Sequence, residues 1–287
     1  MSPLLSLARH TIEIVAQKAV TIDVLREIRM LFNRMTNDDG STSLSPSDCF
    51  KAVMNTAQCR AVDMYLNERQ EDVHEFLLKL LEHFDDELIG IAEVFNLPYV
   101  FTIVLRSTII CQQCSCSSVK KEDLWCFSLP FPLDYNEEAV DSASLALHIY
   151  SFMDNYFKTE ILHDHQCSHC AFIGGTVKQL KIINAPQLLV ITLSRFTSVF
   201  DKIDTFVEFP KELTTEYIRD GNGQQMSYRL TGMIRHTGSS IESGHYIAYV
   251  LIDGKWYEAD DELMTEVSWH SVCTLHVYIL FYERLHN

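Results

Sequence analysis

Two Cys-x-x-Cys pairs constrain this chain more than any other feature: Cys111-Gln-Gln-Cys114 and Cys167-Ser-His-Cys170. Strand-like runs flank them, Thr102–Ile110 and Val119–Leu129 around the first pair and Gly175–Ile183 after the second. Each knuckle presents two thiolates from one tight turn. Two knuckles give the four sulfurs of a closed tetrahedral zinc site with no open position. Such a site is structural, clamping hairpins that have no large core of their own. Cys111, Cys114, Cys167 and Cys170 are therefore the expected Zn2+ ligands, with Cys116, His165 and His169 as substitutes, while Cys126 reads as packing. Any fold for the chain has to bring these two distant segments together.

Composition narrows the classes further. Nine cysteines are an odd number, and their pairing suits metal binding in a reducing compartment, cytoplasmic or nuclear, better than a secreted disulfide framework. With 287 residues, 47% of them hydrophobic, the chain can bury a sizeable core as one large domain or two small ones. The net charge of −16 argues against nucleic acid, which needs a basic face. No apolar run reaches the roughly 18–20 residues that cross a bilayer, so no membrane association is expected. The first twenty residues read as an amphipathic helix and not as a signal peptide.

Taken in order, residues 4–35 carry helical spacing, with Leu25, Ile28, Leu31 and Phe32 on one face of the second helix. A short helix is expected over Cys49–Ala57, capped by Ser47-Asp48. Gln70–Phe84 is the clearest helix, its buried stripe being Val73, Phe76, Leu77, Leu80, Leu81 and Phe84. Asp72 and Glu75 share a neighbouring face near its start, where carboxylates complement the helix dipole. Leu145–Phe157 reads as a further helix, and Leu188–Phe196 as a strand buried on both faces.

The last sixty residues hold the candidate chemistry. Tyr228–Ile234 is an expected strand, residues 238–244 a flexible loop, and Gly244-His245-Tyr246 opens a strand running to Leu251. Asp253-Gly254 signals a hairpin turn, after which Lys255–Ala259 returns and delivers Asp260 and Asp261. His276–Tyr282 is the closing strand. The hairpin sets His245 beside the acidic pair. A carboxylate on one ring nitrogen fixes the tautomer and leaves the other nitrogen as a base.

Together these pieces resemble the ubiquitin-specific protease family of papain-like cysteine deubiquitinases. The resemblance rests on the QEDVHEF segment at residues 70–76, both Cys pairs, PQLLVITLSRF at 186–196, GHYIAYV at 244–250, WYEADD at 256–261 and YILFYER at 278–284. It implies an α+β papain-like fold: a helical thumb over residues 1–98, zinc-bearing β fingers over 99–185 and an antiparallel β palm over 186–287. Ubiquitin, or a ubiquitin-like modifier with its conjugates, is the implied partner. By motif position His245 is the implied general base, Asp260 its orienter and Asp261 a neighbouring assisting group. Asp72, Glu75, Gly244 and Tyr246 are the implied contacts to the ubiquitin tail, with the glycines around His245 letting the tail backbone approach.

One element of the family pattern is not matched. The family's nucleophile sits in a Gly-Asn-x-Cys box, and this sequence contains none. Met1-Ser2-Pro3-Leu4-Leu5-Ser6 resembles the tail of that box, so the nucleophilic Cys is expected just before Met1. Three readings stay open. A version carrying the upstream box hydrolyses the isopeptide bond after the ubiquitin C-terminal Gly. The chain as it stands binds ubiquitin without cleaving it. Or it is a zinc-stabilised interaction module that does not bind ubiquitin. Cys49, Cys59 and Cys273 lack the context of a substitute nucleophile.

Overall fold

The computed structural model of the protein describes residues 72–88, 100–131, 147–196, 202–241, 243–261 and 263–285. The helices expected over residues 4–35 and 49–57 lie outside the described residues. The described elements are α1 (Val73–Leu88), β1 (Ile103–Cys111), β2 (Ser117–Leu124), β3 (Phe127–Pro130), β4 (Leu147–His148), α2 (Ile149–Phe157), β5 (Glu160–Leu162), β6 (Thr176–Asn184) and β7 (Leu188–Ser194). They continue as β8 (Val207–Glu208), β9 (Glu212–Arg219), β10 (Gln225–Ser240), β11 (Ser243–Ile252), β12 (Lys255–Asp260), β13 (Leu263–Val267), α3 (Trp269–Val272) and β14 (Val277–Arg284). No described helix is long and apolar enough to cross a membrane.

The described chain divides into two compact units. One holds α1, Arg195–Asp204 and Thr231–Leu280; the other holds β1 to β7 with α2, Thr205–Leu230 and the end of β14. Strands β10 and β14 thus contribute residues to both.

In the second unit, β1 and β6 pair antiparallel from Val104↔Asn184 to Cys111↔Thr176, with β2 on one side and β5 on the other. The pairing brings the two Cys knuckles to the same end of this four-stranded sheet. The core of the unit lies elsewhere, on β7. Leu189, Val190, Ile191 and Leu193 are all 1% exposed or less, and β7 pairs parallel with β3. A strand covered on both faces carries a continuous apolar run, as LLVITL does. Phe127, Phe152, Ile149 and Met153 complete the core against it. Fully burying each such side chain contributes about 1.5–3 kcal/mol.

In the first unit, β10, β11, β12 and β13 form successive antiparallel pairs. Asp253 (φ 48°) and Gly254 (φ 82°) both take the left-handed conformation between β11 and β12. This is the two-residue turn whose twist suits a hairpin, and it is the turn Asp-Gly predicts.

Three expectations shift. Residues 238–244, expected as a loop, are mostly strand: β10 runs to Ser240 and β11 starts at Ser243, with a bulge between Thr237 and Ser240. The helix expected from Leu145 begins at Ile149, because Leu147–His148 pairs parallel with Val207–Glu208. The strand-like run expected from Thr102 to Ile110 is a strand from Ile103 to Cys111, entered from a helical turn at Val100–Phe101.

Candidate functional site: a four-thiol cluster and a histidine–aspartate hairpin

The cysteine cluster sits in the unit of the β1–β6 sheet. Cys111 Sγ lies 3.8 Å from Cys170 Sγ, and Cys114 Sγ lies 3.7 Å from Cys167 Sγ. All four sulfurs fall within 4.8 Å of one another. A tetrahedron of sulfurs about 2.3 Å from a central ion has edges of about 3.8 Å, so the donor set has the size such an ion requires. Cys116, His165 and His169 are not members of the cluster.

The two knuckles are conformational copies. Ser115 N–H donates to the Cys111 carbonyl and Ala171 N–H to the Cys167 carbonyl, each at 2.9 Å. Cys111 N–H donates to the Cys116 carbonyl and Cys167 N–H to the Phe172 carbonyl. Ser115 (φ 58°) and Ala171 (φ 57°) are left-handed, a conformation that costs an ordinary side chain about 1–2 kcal/mol. Without a cation, four thiols this close cannot all ionise. The backbone N–H groups of Cys170 and His169 bring Cys167 down to about 6. Cys114 has the N–H of Cys116 lowering it, yet is pushed up to about 12 by desolvation and by the thiols of Cys170, Cys167 and Cys111.

The second constellation lies in the unit of β10–β13. Ala248 pairs with Ala259, so one step further along Asp260 faces Ile247. His245 is two residues from Ile247 on the same face, a diagonal cross-strand position that long side chains span. His245 Nε2 and Asp260 Oδ1 are 2.5 Å apart. The neutral ring therefore carries its proton on Nε2, donated to Asp260, and leaves Nδ1 as the basic nitrogen. The side chains of His245 and Asp260 are 43% and 39% exposed, open enough to meet a substrate. The hydrogen bond to Asp260 raises the His245 pKa above its ordinary value against the opposing desolvation, and the charges of Asp260 and Asp261 add to the rise. Asp261 stands just past β12 in the left-handed conformation (φ 50°), which Asp adopts more readily than most residues.

Gly244 has a reason internal to the chain. A Cβ on Gly244 would collide with His236 Nε2 and the Thr237 carbonyl, and one on Gly238 would meet the Ser243 carbonyl at 2.5 Å. Glycine at both positions lets the bulged end of β10 close on β11 immediately before His245.

Asp72 also acts within the fold. It precedes α1 and its Oδ1 accepts from His74 N–H at 2.7 Å, a helix N-cap. The Tyr278 hydroxyl donates to the same carboxylate, 2.8 and 2.7 Å from its two oxygens. Glu75 lies in the first turn of α1, where its charge suits the dipole. Tyr246 is pushed up to about 12 by burial and by the charge of Asp72, against a lowering backbone contact at Val73. Asp72 and Tyr246 thus stand in one neighbourhood, with His245 next to Tyr246 along β11.

Three residues that the sequence did not mark, Tyr278, Phe196 and His236, link Asp72 to Tyr246. The Tyr278 ring meets Phe196 edge-on at 5.4 Å, Phe196 meets the ring of His236 at 5.5 Å, and His236 lies 4.7 Å from the ring of Tyr246. His236 is 1% exposed. Burial, with the nearby Lys202 cation, lowers its pKa against the charges of Asp72 and Asp204. A histidine two residues before Gly238 was the one available signal. Phe196 and Tyr278 read only as strand residues.

Residues 4–282 match the family model described as ubiquitin carboxyl-terminal hydrolase. Similar proteins include ubiquitin carboxyl-terminal hydrolase 25 of Arabidopsis thaliana, 30% identical over 234 residues, which covers 75% of this chain and 34% of that protein. Ubiquitin carboxyl-terminal hydrolase 23 of the same plant is 32% identical over 235 residues, 77% of this chain and 26% of the relative. The chain spans about a third or less of the length of these curated relatives. Among solved structures, the SAGA DUB module of Ubp8, Sgf11, Sus1 and Sgf73 bound to ubiquitin aldehyde superposes with a TM-score of 0.74 at 24% identity, covering all of this chain (100%) and 67% of the other. A SAGA DUB module bound to monoubiquitin gives 0.75 at 24% identity, covering 100% of this chain and 66% of that one. These likenesses agree with the papain-like α+β fold.

Proposed function

This chain belongs to the ubiquitin carboxyl-terminal hydrolase family, and from that premise we propose that it is a ubiquitin-binding protease domain. Its half of the reaction centre is His245, Asp260 and Asp261. The observation that carries this reading is the His245 Nε2–Asp260 contact at 2.5 Å. It orients the ring and leaves Nδ1 as the base a thiol protease needs.

The chemistry follows from that tautomer. In a version carrying the Gly-Asn-x-Cys box, His245 Nδ1 accepts the thiol proton and the thiolate attacks the carbonyl of the ubiquitin C-terminal Gly. The imidazolium then gives its proton to the departing amine, which leaves a thioester. Nδ1 next deprotonates a water that hydrolyses the thioester and frees the thiol. Asp260 stabilises the imidazolium throughout, and the Asp261 charge adds to it. Asp72, Glu75, Gly244 and Tyr246 are proposed to line the approach of the ubiquitin tail, with Asp72 and Glu75 meeting its Arg residues through charge-assisted bonds. We assign residues 1–98 to the thumb, 99–185 to the fingers and 186–287 to the palm. Cys111, Cys114, Cys167 and Cys170 are proposed to hold one structural Zn2+, the ion that four thiolates in a closed tetrahedron suit. Its chemistry is to clamp the two knuckles, and no reaction step passes through it.

Calorimetric titration of ubiquitin into the chain tests binding, and absence of saturable heat leaves the zinc-stabilised interaction module as the better reading. Turnover is tested on a fluorogenic ubiquitin amide. The chain as printed is expected to bind without turnover. A version with the Cys box added before Met1 is expected to hydrolyse the amide and to lose that activity in His245→Ala. Turnover that survives His245→Ala would overturn the assignment of the base.

A further inference from the structure

The face of the β1–β2–β6 sheet that carries Arg106 holds an arrangement the protease reading does not use. Arg106 on β1 pairs directly with Lys121 on β2 and, on its other side, with Lys181 on β6. Directly paired residues of antiparallel strands point to the same face. Three cations therefore stand in one row across three strands of a chain whose net charge is −16. Like charges directly opposite one another destabilise a sheet. Elsewhere on this sheet lysines have carboxylates, Lys120 with Glu122 and Lys178 with Glu160. Among the described residues, no carboxylate forms an ion pair with Arg106, Lys121 or Lys181. The Nε of Arg106 is shielded from solvent and has no hydrogen-bond partner among the described residues.

Beside this row lies a cleft of about 350 Å³, lined by Arg106, Lys181, Arg219, Thr108, Thr159 and Gln179. Phe157 and Tyr217, stacked at 4.7 Å and 15°, form an aromatic wall. Arg219 is held in place by donating to the carbonyls of Glu216 and Gly223. One carboxylate, Glu216, also lines the cleft, and Tyr217 donates to Asp154 nearby. Three cations against one lining carboxylate leave an excess of positive charge, with hydroxyl and amide donors around it.

We propose that this cleft, with the row Lys121–Arg106–Lys181 at its edge, is a binding site for a phosphate-type oxyanion. An oxyanion of charge near −2 offsets the mutual repulsion of the row. It can take the Arg106 fork as a bidentate acceptor and the lysines as point charges. The volume admits a phosphate group together with part of what it is attached to. The site is independent of the His245–Asp260 centre, so it stands or falls apart from the ubiquitin reading.

The test uses the whole chain at constant ionic strength. Inorganic pyrophosphate and a phosphoserine peptide are titrated in separate calorimetric arms. Saturable binding is expected in at least one arm. Pyrophosphate alone points to a small phosphorylated ligand, and the peptide alone to a phosphorylated protein segment. Arg106→Gln and Lys181→Gln should each weaken the binding at least about tenfold, while Lys255→Gln, whose partner is Glu266 on β13, should leave it unchanged. Lys181→Gln should also raise the melting temperature of the ligand-free chain by relieving the row. If Arg106→Gln fails to fold, the exposed Lys121→Gln and Lys181→Gln carry the test. No binding in either arm, equal affinity in the lysine variants, or equal competition by chloride would overturn the proposal.

Discussion

Replacing Asp72 separates what this carboxylate does for the fold from what its charge does for a partner. Asp72→Ala removes two interactions at once. The N-cap on His74 N–H is worth about 1 kcal/mol. The Tyr278 hydroxyl, on a side chain only 3% exposed, loses a charged acceptor worth about 1.5–3 kcal/mol. Asp72 is only partly buried, so water reaches part of the vacated space and the loss falls toward the lower end, about 2–3 kcal/mol in all. For a domain of this size that lowers the melting temperature by about 5–10 °C. Asp72→Asn keeps an amide oxygen that caps equally well and still accepts from Tyr278 as a neutral group, so it costs about 1 kcal/mol or less. Tyr278→Phe should cost about 1–2 kcal/mol in the native background and much less in Asp72→Ala, a coupling of about 1 kcal/mol. Urea unfolding of the four variants, with ubiquitin titrations on those that remain folded, reads both effects. Asp72→Asn should keep most stability yet weaken ubiquitin binding. An Asn variant as unstable as the Ala variant, or Tyr278→Phe costing the same in both backgrounds, would show that the cap and the Tyr278 bond do not act as described.

Four more outcomes follow from the geometry. Gly244→Ala should destabilise the chain by about 2 kcal/mol or more, because its Cβ would overlap the His236 ring and the Thr237 carbonyl; chemical denaturation and the His245 imidazole signals check this. Ser115→Gly and Ala171→Gly should each stabilise by up to about 1 kcal/mol, relieving left-handed backbone in the knuckles. A chelator should release one Zn2+ per chain and lower the melting temperature, and Cys167→Ser should abolish the metal content, read by colorimetric zinc assay. The His245 pKa is raised in the fold, so its bond to Asp260 stabilises fully below the unfolded value of about 6.5 and fades as pH rises through the folded value. Asp260→Asn should bring the His245 titration back down, followed by NMR; in the Cys-box version hydrolysis should climb with pH as the ring becomes neutral.

Much of this was legible because it is local. Asp253-Gly254 dictates a tight hairpin, the continuous LLVITL run dictates a strand covered on both faces, and each Cys-x-x-Cys dictates a knuckle. The juxtaposition of His245 and Asp260 then follows from strand register alone. What escaped depends on tertiary partners. The bulge that turns residues 238–244 into strand is stabilised by where the His236 ring packs, and glycine there looked like flexibility. Asp72 read as a helix-dipole acid, and its bond to Tyr278 spans 206 residues of sequence. Ser115 and Ala171 gave no warning, since neither is a residue type that prefers left-handed backbone. Strand β9 was within reach: Leu213, Thr215 and Ile218 are its buried positions, the first two in strict alternation with exposed residues.

The proposed placement of His245, held by Asp260 and facing the end of a ubiquitin tail, underlies the chemistry assigned above. Its most direct test is an NMR titration of the histidine-labelled chain with ubiquitin and, separately, with ubiquitin lacking its C-terminal tail. A saturable one-to-one shift of the His245 ring signals is expected with intact ubiquitin and none with the truncated form. His245 signals that stay still with both, or move equally with both, would contradict it.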